Sequence, residues 1–465
     1  MYDFFNRPVT VPDMMDAREA RFFLQQQLLR EHPGSMLVCL GMNIAGPIKT
    51  TPAIERAFSW GRESILDICA PYPRLDMKEK HDHTGPEMMV CLKADAEEVK
   101  RRLCDLEDGT PLGRLLDVDI IRPDGSKVSR TEIGRDARKC LLCDNPAPVC
   151  ARSRSHSVGD LFARAHQLIA EHFARQYAVT TAARAQQALL TEVAVSPKPG
   201  LVDRVDNGAH TDMDVFTFIN SAAALGDYFR TCTETGLRFR GGNPADCFEA
   251  LRTPGLLAEG AMYRATGGIN THKGAIFSLG IFCAALGMGF DGEASDPAAA
   301  LLRCGEMTAP AMAAALEKVQ SGDARSNGER LYKQQGLSGV RGEAAGGFAS
   351  VRTIGLPMLQ RARACKLSVN DSALCVLIAL MAQVPDTNIH HRAGENGAKE
   401  TQQKTSSLLA RLEAQLDEGK VDCMWLHSEL QQLNSWMKRL RISPGGCADL
   451  LAMTLLADYS SSGSV

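Results

Sequence analysis

The sequence is poor in aromatic residues, which make up 6% of 465 positions and include only three tryptophans. Base-stacking platforms for single-stranded nucleic acid are therefore not expected as a main theme. A charge excess of either sign is also missing: 52 Lys and Arg face 55 Asp and Glu, a net charge of −3. No global basic field is available to hold nucleic acid or an anionic membrane. No stretch reaches the roughly 18 uninterrupted apolar residues that a membrane helix needs. The opening MYDFFNRPVT has neither the basic start nor the apolar run of a secretory leader. The fifteen cysteines are odd in number and scattered, a poor fit to a disulfide framework, so reduced thiols and a cytoplasmic location are expected. Internal repeats are absent.

What is present is an ordinary globular composition, 45% hydrophobic and 23% charged, which excludes a disordered tail, a collagen-like chain and a coiled-coil rod. At about 100–200 residues per domain, the length allows two or three. The first third mixes helical and strand patterns. Pro12-Asp13 opens a helix that Pro33-Gly34 ends. Strands are expected at 35–39, 87–93 and 114–121, a helix from the Asp95 cap to about Leu106, and a hairpin turn at Asp124-Gly125 leading into a strand at 127–129. After about residue 175 strand signals fade. Helices are expected near 215–229, 275–285, 298–319, 372–383, 405–416, 426–440 and 448–459. The expected fold is multidomain: an N-terminal α+β, nucleotidyltransferase-like domain at 1–175, then an all-α domain at 176–465. No Pro/Gly/Ser-rich linker separates them.

In the first domain the sharpest signal is PLGRLLDVDI at 111–120. Side chains alternate along a strand, so Leu116, Val118 and Ile120 share one face and Asp117 and Asp119 share the other. Neighbouring carboxylates repel unless a cation sits between them, and hard oxygen ligands suit Mg²⁺. An exposed acidic face is the alternative. Basic side chains suited to phosphate surround the motif: Lys49, Arg114, Arg130, Arg135, Arg138, Lys139, Arg152 and Arg154. Cys140, Cys143, Cys150 and His156 form C-x2-C-x6-C-x5-H, four ligands of the kinds zinc takes. A structural Zn²⁺ site, buried free thiols and coincidence all stay open.

Taken together, ARE (17–19), NIAGPIKT (43–50), TGPE (84–87), PLGRLLDVDI (111–120), SR (129–130), GRDARKCLLCD (134–144) and CARSRSH (150–156) resemble apo-citrate lyase phosphoribosyl-dephospho-CoA transferase, the CitX type. The resemblance implies transfer of a phosphoribosyl-dephospho-CoA group to a serine of the citrate lyase acyl carrier protein (the gamma subunit), with release of pyrophosphate. It further implies Asp117 and Asp119 as catalytic metal ligands and Lys49, Arg114 and Arg130 as phosphate ligands.

The second domain carries several loaded loops. SPKPGLVDRVDNGAHTDMD (196–214) holds Asp203, Asp206, His210, Asp212 and Asp214, more than helix capping needs, although Asp212 is placed to cap the next helix. ATGGINTHKG (265–274), with Gly267, Gly268, Asn270, His272 and Lys273, precedes an apolar helix and suits an anion at its N-terminus. A tight helix–helix turn is the alternative. GLSGVRGEAAGGF (336–348) offers Arg341 and Glu343 in a glycine-rich loop; Asp386, Asn388, Arg392 and Asp449 lie beside later helices. The stretches 197–214, 266–280, 339–348, 386–388 and 443–454 resemble triphosphoribosyl-dephospho-CoA synthase, the CitG type. Residues 395–441 carry no motif of that family.

This second resemblance implies attack of the 2′-hydroxyl of 3′-dephospho-CoA on the ribose C1 of ATP, with loss of adenine. Carboxylates would stabilise an oxocarbenium-like transition state. One of Asp203, Asp206, Asp212 or Asp214 is the expected base, Asp212 and Asp214 the expected Mg²⁺ ligands, and His210 or His272 the proton donor to adenine. Gly267, Gly268, Asn270, Lys273, Arg341, Glu343, Asp386 and Asn388 are the expected nucleotide ligands. The whole is expected to be a bifunctional transferase. A non-catalytic assembly factor and a helical, metal-dependent nucleoside or ADP-ribose hydrolase are the alternatives.

Overall fold

A computed structural model describes residues 4–321, 333 and 336–461. The chain divides into two compact units, Met1–Phe173 and Ala174–Val465.

In the first unit α1 (Val11–Glu31) starts at a Thr10–Asp13 capping box with Pro12 in its first turn. Next come β1 (Met36–Met42), α2 (Pro52–Cys69), β2 (Arg74–Lys80), β3 (Glu87–Leu92), α3 (Ala96–Gly109) and β4 (Leu116–Ile121). The four strands form one antiparallel sheet in the order β2-β3-β1-β4. Met36, Val38, Leu40, Met88, Val90, Leu92, Leu116, Val118 and Ile120 face the α2 and α3 side chains Phe58, Ile65, Val99 and Leu103. On the opposite face α1 covers Leu37, Cys39, Met89, Cys91 and Ile121 with Leu24, Leu28 and Leu29.

Both α2 and β2 were invisible to the pattern reading. Helix α2 follows directly on the NIAGPIKT loop and is nucleated by Thr51, whose hydroxyl accepts from Ile54 N–H at 3.2 Å. β2, RLDMKEK, is a polar edge strand with no buried residue. Two strand limits also move. A 3₁₀ turn occupies Gly113–Leu115, so β4 begins at Leu116. The Asp124-Gly125 turn is present, with Arg122 N–H donating to Ser126 O at 2.8 Å, but the expected strand at 127–129 is only an isolated bridge between Ile121 and Lys127. A short helix, α4 (Ala147–Ser153), precedes α5 (Val158–Ala194), and the division between the units falls within α5.

Among its described residues the second unit contains helices and no strand. These are the rest of α5, α6 (Val215–Ala223), α7 (Gly226–Arg238), α8 (Pro244–Ala250), α9 (Arg252–Ala265), α10 (Lys273–Gly289), α11 (Pro297–Ser321), α12 (Gly339–Ala345), α13 (Leu356–Ala364), α14 (Val369–Gln383), α15 (Thr387–Asp417), α16 (Cys423–Leu440) and α17 (Gly445–Ser461). α10 and α14 are apolar and buried nearly all round, the mark of central core helices. Among the described residues no single helix is long and apolar enough to cross a membrane. The helix expected at 215–229 is two helices, since backbone turns at Ala224 and Leu225 break it. The expected glycine-rich loop at 336–348 contains helix α12. The motif-free stretch 395–441 forms the later part of α15, which bends at Gly394, and all of α16.

Candidate active sites in the two units

In the first unit β4 alternates as its sequence demands: Asp117 and Asp119 lie on the α1 face while Leu116, Val118 and Ile120 are buried on the other. The register places Asp119 opposite Cys39 and Asp117 opposite Gly41 on β1. Beyond the reach of Leu24 and Leu28 this face is open. A cleft there is lined by Arg21 of α1, Cys39, Gly41, Glu87, Asp117 and Asp119. Arg21 is ion-paired with Glu87, and Lys127 reaches Asp119 at 2.5 Å. Lys49 donates to Ile44 O at 2.6 Å, and its Cβ lies close to Gly85 of the TGPE segment. Burial and the neighbouring Arg18 pull the Lys49 ammonium below the usual lysine range. The segments ARE, NIAGPIKT and TGPE therefore meet at one end of the sheet.

Two expected phosphate ligands are engaged elsewhere. Arg130 pairs with Glu107 at 2.9 Å and Asp108 at 2.5 Å, and Arg114 donates to Cys140 O at 2.6 Å. Their employment follows from the position of β4 at the sheet edge, where backbone groups need partners. Glu107 accepts from Val118 N–H at 3.2 Å, Lys100 donates to Val118 O at 2.6 Å, and Arg138 donates to Leu116 O at 2.7 Å. Glu107 and Lys100 are themselves buried. Burial pushes the Glu107 carboxyl up, opposed by Arg138, Lys100 and Arg130. The basic residues around the Asp pair thus hold its strand from the side and back. The Cys140, Cys143, Cys150 and His156 ligand atoms all lie within 4.8 Å of one another.

In the second unit the 196–214 loop is a built structure. Buried Asp203 accepts from the N–H groups of Lys198, Val205 and Asp206. Asp206 accepts from Gly208 N–H and receives Asn434 and Lys438 of α16; burial would raise its carboxyl, but Lys438 and these hydrogen bonds hold it below the usual range. Asp214, expected as a metal ligand, is instead the N-cap of α6 in a capping box with Thr217. That is the role expected of Asp212, which remains 63% exposed with His210 Nδ1 at 3.9 Å. Three of the four expected bases are therefore tied to backbone or to cations, and hydrogen bonds hold the Asp206 and Asp214 carboxyls below the usual range. His210 bonds Ser443 Oγ at 2.9 Å. Its imidazole is held down by burial and Arg392, with Asp212 opposing.

The charged centre lies around the N-terminus of α10. Its cap residue, His272, makes no capping bond with its side chain. His272 Nδ1 meets Ser221 Oγ at 2.7 Å, while its buried Nε2 has no partner among the described residues. Burial, with Lys198 nearby, pulls this imidazole down to about 3, so it has no imidazolium proton to give at neutral pH. In the first turn, Ala275 N–H donates to Asp449 of α17. Gly274 makes that approach possible: a Cβ there would lie 2.0 Å from Asp449 Oδ2. Although Asp449 is only partly buried as a residue, burial and the neighbouring Glu192 and Asp386 push its carboxyl well above the usual range. Glu192 is buried in an ion pair with Lys198, and burial raises it too. Asp386 accepts from the N–H groups of Asn388, Ile389 and Cys447, joining the starts of α15 and α17, and burial raises its carboxyl despite these donors.

Lys273 pairs with Glu259 of α9 at 2.8 Å. Arg341 lies near enough to oppose its charge. Glu343 binds Ser350 Oγ at 2.6 Å, and Asn388 Nδ2 stands where a Cβ on Gly445 would meet it at 2.9 Å. Gly267 and Gly268 take left-handed φ of +65° and +94° at the end of α9, with Gly268 N–H on Tyr263 O. They act there as a helix terminator, beside the exposed Asn270. Sequence reasoning missed Glu192 and Lys198. Lys198 lies inside a motif already singled out, but Glu192 sits on a long helix with nothing local to distinguish it.

Residues 178–464 match the CitG family model, ATP:dephospho-CoA triphosphoribosyl transferase, and residues 9–172 match the CitX model, apo-citrate lyase phosphoribosyl-dephospho-CoA transferase. The chain is 32% identical to "Protein CitXG" of Haemophilus influenzae over 96% of its own length and 95% of the relative's. It is 31% identical to "Protein CitXG" of Leuconostoc mesenteroides subsp. cremoris, over 95% of both. It is also 38% identical to a 2-(5''-triphosphoribosyl)-3'-dephosphocoenzyme-A synthase of Pectobacterium atrosepticum, over 59% of this chain and 86% of that one. Both motif sets are thus present in one chain that aligns end to end with fused relatives, and the chain belongs to the CitG family, with a CitX-type transferase segment preceding it.

Proposed function

We propose that the two halves of one biosynthetic task are divided between the two units. The chain is a bifunctional transferase that synthesises and attaches the citrate lyase prosthetic group. In this reading the second unit joins ATP to 3′-dephospho-CoA. The C1–N9 bond of ATP breaks, a bond from C1 to the 2′-oxygen of dephospho-CoA forms, and adenine leaves with a proton. The product is 2′-(5''-triphosphoribosyl)-3′-dephospho-CoA. The observation that carries this assignment is the carboxyl cluster of Glu192, Asp386 and Asp449 at the N-terminus of α10, with Lys198 and Lys273 beside it.

Carboxylates there would stabilise positive charge at C1, and the helix terminus with Lys273 and Arg341 would hold the triphosphate. Asp449, pushed toward its protonated form, is a better donor to adenine than His272, which stays neutral. Gly267, Gly268, Asn270, Glu343 and Asn388 would line the approach, and Asp212 is the remaining candidate for a Mg²⁺ ligand.

In the first unit, a nucleotidyltransferase-like α+β domain in this reading, a serine hydroxyl of the citrate lyase acyl carrier protein attacks the α-phosphorus of the triphosphoribosyl group, and pyrophosphate departs. Asp117 and Asp119 line a cleft as hard oxygen donors and would hold Mg²⁺, which would offset charge on the departing pyrophosphate. Arg18, Arg21 and Lys49 would be the phosphate-facing cations. None of the fifteen cysteines forms a disulfide, which fits a cytoplasmic setting.

The test is direct. The purified chain with ATP, dephospho-CoA and Mg²⁺ should release adenine, and addition of apo carrier protein should release pyrophosphate. Asp117→Asn should slow attachment on the order of 10²–10³-fold and leave adenine release intact. Loss of both activities in a folded D117N protein overturns the division. Adenine release without dephospho-CoA would point to a hydrolase instead.

A further inference from the structure

We propose that Cys140, Cys143, Cys150 and His156 form a structural zinc site that clasps the outer edge of β4, the strand bearing Asp117 and Asp119. The four ligand atoms come from a turn, a short helix and the loop that follows it, yet converge within 4.8 Å of one another. Cys143 Sγ lies 3.4 Å from Cys150 Sγ and 3.3 Å from His156 Nε2. A tetrahedral ion with Zn–S near 2.3 Å and Zn–N near 2.0–2.1 Å sets its ligands about 3.6–3.8 Å apart, so a small outward movement admits the ion.

The surrounding backbone is arranged as a knuckle. Cys140 N–H donates to Asn145 O at 2.8 Å, and Ala147 N–H donates to Arg138 O at 2.7 Å. The turn leads into α4, which carries Cys150, and Ser155 N–H closes back on Cys150 O at 3.2 Å. Little else holds this segment. α4 has seven residues, far below the length at which a helix persists alone. Leu142 and Val149 are exposed, and only Leu141 packs against a neighbouring core cluster. A metal supplies what the missing apolar core does not.

The clasp is joined to the catalytic strand by two arginines. Arg114, just ahead of β4, donates to the carbonyl of the ligand residue Cys140 at 2.6 Å. Arg138, two residues before Cys140, donates to Leu116 O at 2.7 Å and pairs with buried Glu107, which accepts from Val118 N–H. Leu116 and Val118 flank Asp117. The zinc knuckle therefore fixes the backbone from which both carboxylates project.

The experiment uses the full chain purified without chelator. One zinc per chain is expected, and Co²⁺ exchange should give the intense visible bands of a tetrahedral thiolate site. Cys143→Ser should lose that zinc and the attachment activity with supplied precursor, while adenine release stays unchanged. His156→Cys, which keeps four ligands, should retain both metal and attachment. The proposal is overturned if the wild type carries no metal above background and takes up no Co²⁺. A disulfide among these cysteines in place of metal overturns it as well, as does zinc content unchanged in C143S. If C143S does not fold, wild-type metal content and Co²⁺ spectrum still decide, because neither depends on which reaction the unit performs.

Discussion

Replacing Asp449 by Asn should make the second unit more stable and far less active. The carboxyl packs against Glu192 and Asp386, and burial and those like charges push it well above the ordinary range. Opposing them, Ala275 N–H and the N-terminus of α10 favour an anion, an effect of about 0.3–1 kcal/mol and up to ~2 kcal/mol when partly buried. The raised carboxyl shows which side wins. Desolvating a polar group without full compensation costs about 1–3 kcal/mol, more for a charge, so a net gain of about 1 kcal/mol is expected from Asn. Asn still accepts from Ala275 N–H and can donate to a neighbouring carboxylate. For domains of about 150–250 residues, 1 kcal/mol moves Tm by about 2–4 °C.

The pH dependence has a definite sign. A carboxyl raised in the folded state contributes stability that is present below its unfolded pKa, about 3.9, and is lost as pH rises through the folded value. Wild type and D449N should therefore unfold alike near pH 4 and diverge toward neutrality, with the variant higher. Thermal unfolding from pH 4 to 8 reads this, and adenine release should fall on the order of 10²-fold or more. A variant that melts several degrees lower at pH 7, or that keeps full activity, refutes the reasoning.

Three further outcomes are expected. Gly274→Ala places a methyl 2.0 Å from Asp449 Oδ2, so it should cost about 1–3 kcal/mol and stop adenine release. The stability cost should shrink in a G274A/D449A double variant, measured as a cycle of unfolding free energies. Glu107→Ala leaves Arg130 and Arg138 without their buried partner and Val118 N–H unsatisfied; a loss of about 3–5 kcal/mol should appear in denaturant unfolding, and attachment should fail before adenine release does. Asp206 is held below the ordinary carboxyl range by Lys438 and its hydrogen bonds, against the effect of burial, so its contribution is present above the unfolded pKa and lost as pH falls through the folded value. Lys438→Ala should flatten that acid limb of the Tm–pH curve, and an unchanged limb would show that the pair contributes nothing there.

The residues that local pattern could reveal were those whose role is local. Asp117 and Asp119 alternate with Leu116, Val118 and Ile120, and the strand period alone assigns their faces. The Asp95 cap and the Thr10 box begin helices where pattern expects them. Residues whose role depends on distant partners were not legible. Nothing near Glu192 marks it as the partner of Lys198. Asp214 and Asp212 look equivalent in sequence, yet the backbone gives the cap to Asp214 and leaves Asp212 exposed. The motif-free stretch after Glu395 gains a role only in three dimensions. Asn434 of α16 accepts from Gly200 N–H and donates to Asp206, and Lys438 reaches the same carboxylate, so a helix without family motifs holds the most motif-rich loop.

The basic residues of the first unit show the same separation between residue type and role. Five of the eight, Arg114, Arg130, Arg135, Arg138 and Lys139, flank β4 in sequence, which made a phosphate cradle the natural expectation. An edge strand carrying two carboxylates has a prior need, however, because its outward N–H and C=O groups face no neighbouring strand. Glu107, Lys100 and Arg138 meet that need at Val118 and Leu116, while Arg130 offsets Glu107 from behind and Arg114 ties the adjoining turn to β4. Two other cations stand at the Asp pair: Lys127 pairs with Asp119, and Arg21 of α1 lines the same cleft. Arg21 is remote in sequence from the D-x-D strand, so local pattern gives no sign that the two share a cleft. Removing Lys49 should weaken precursor binding without loosening β4, whereas removing Arg138 should do the reverse.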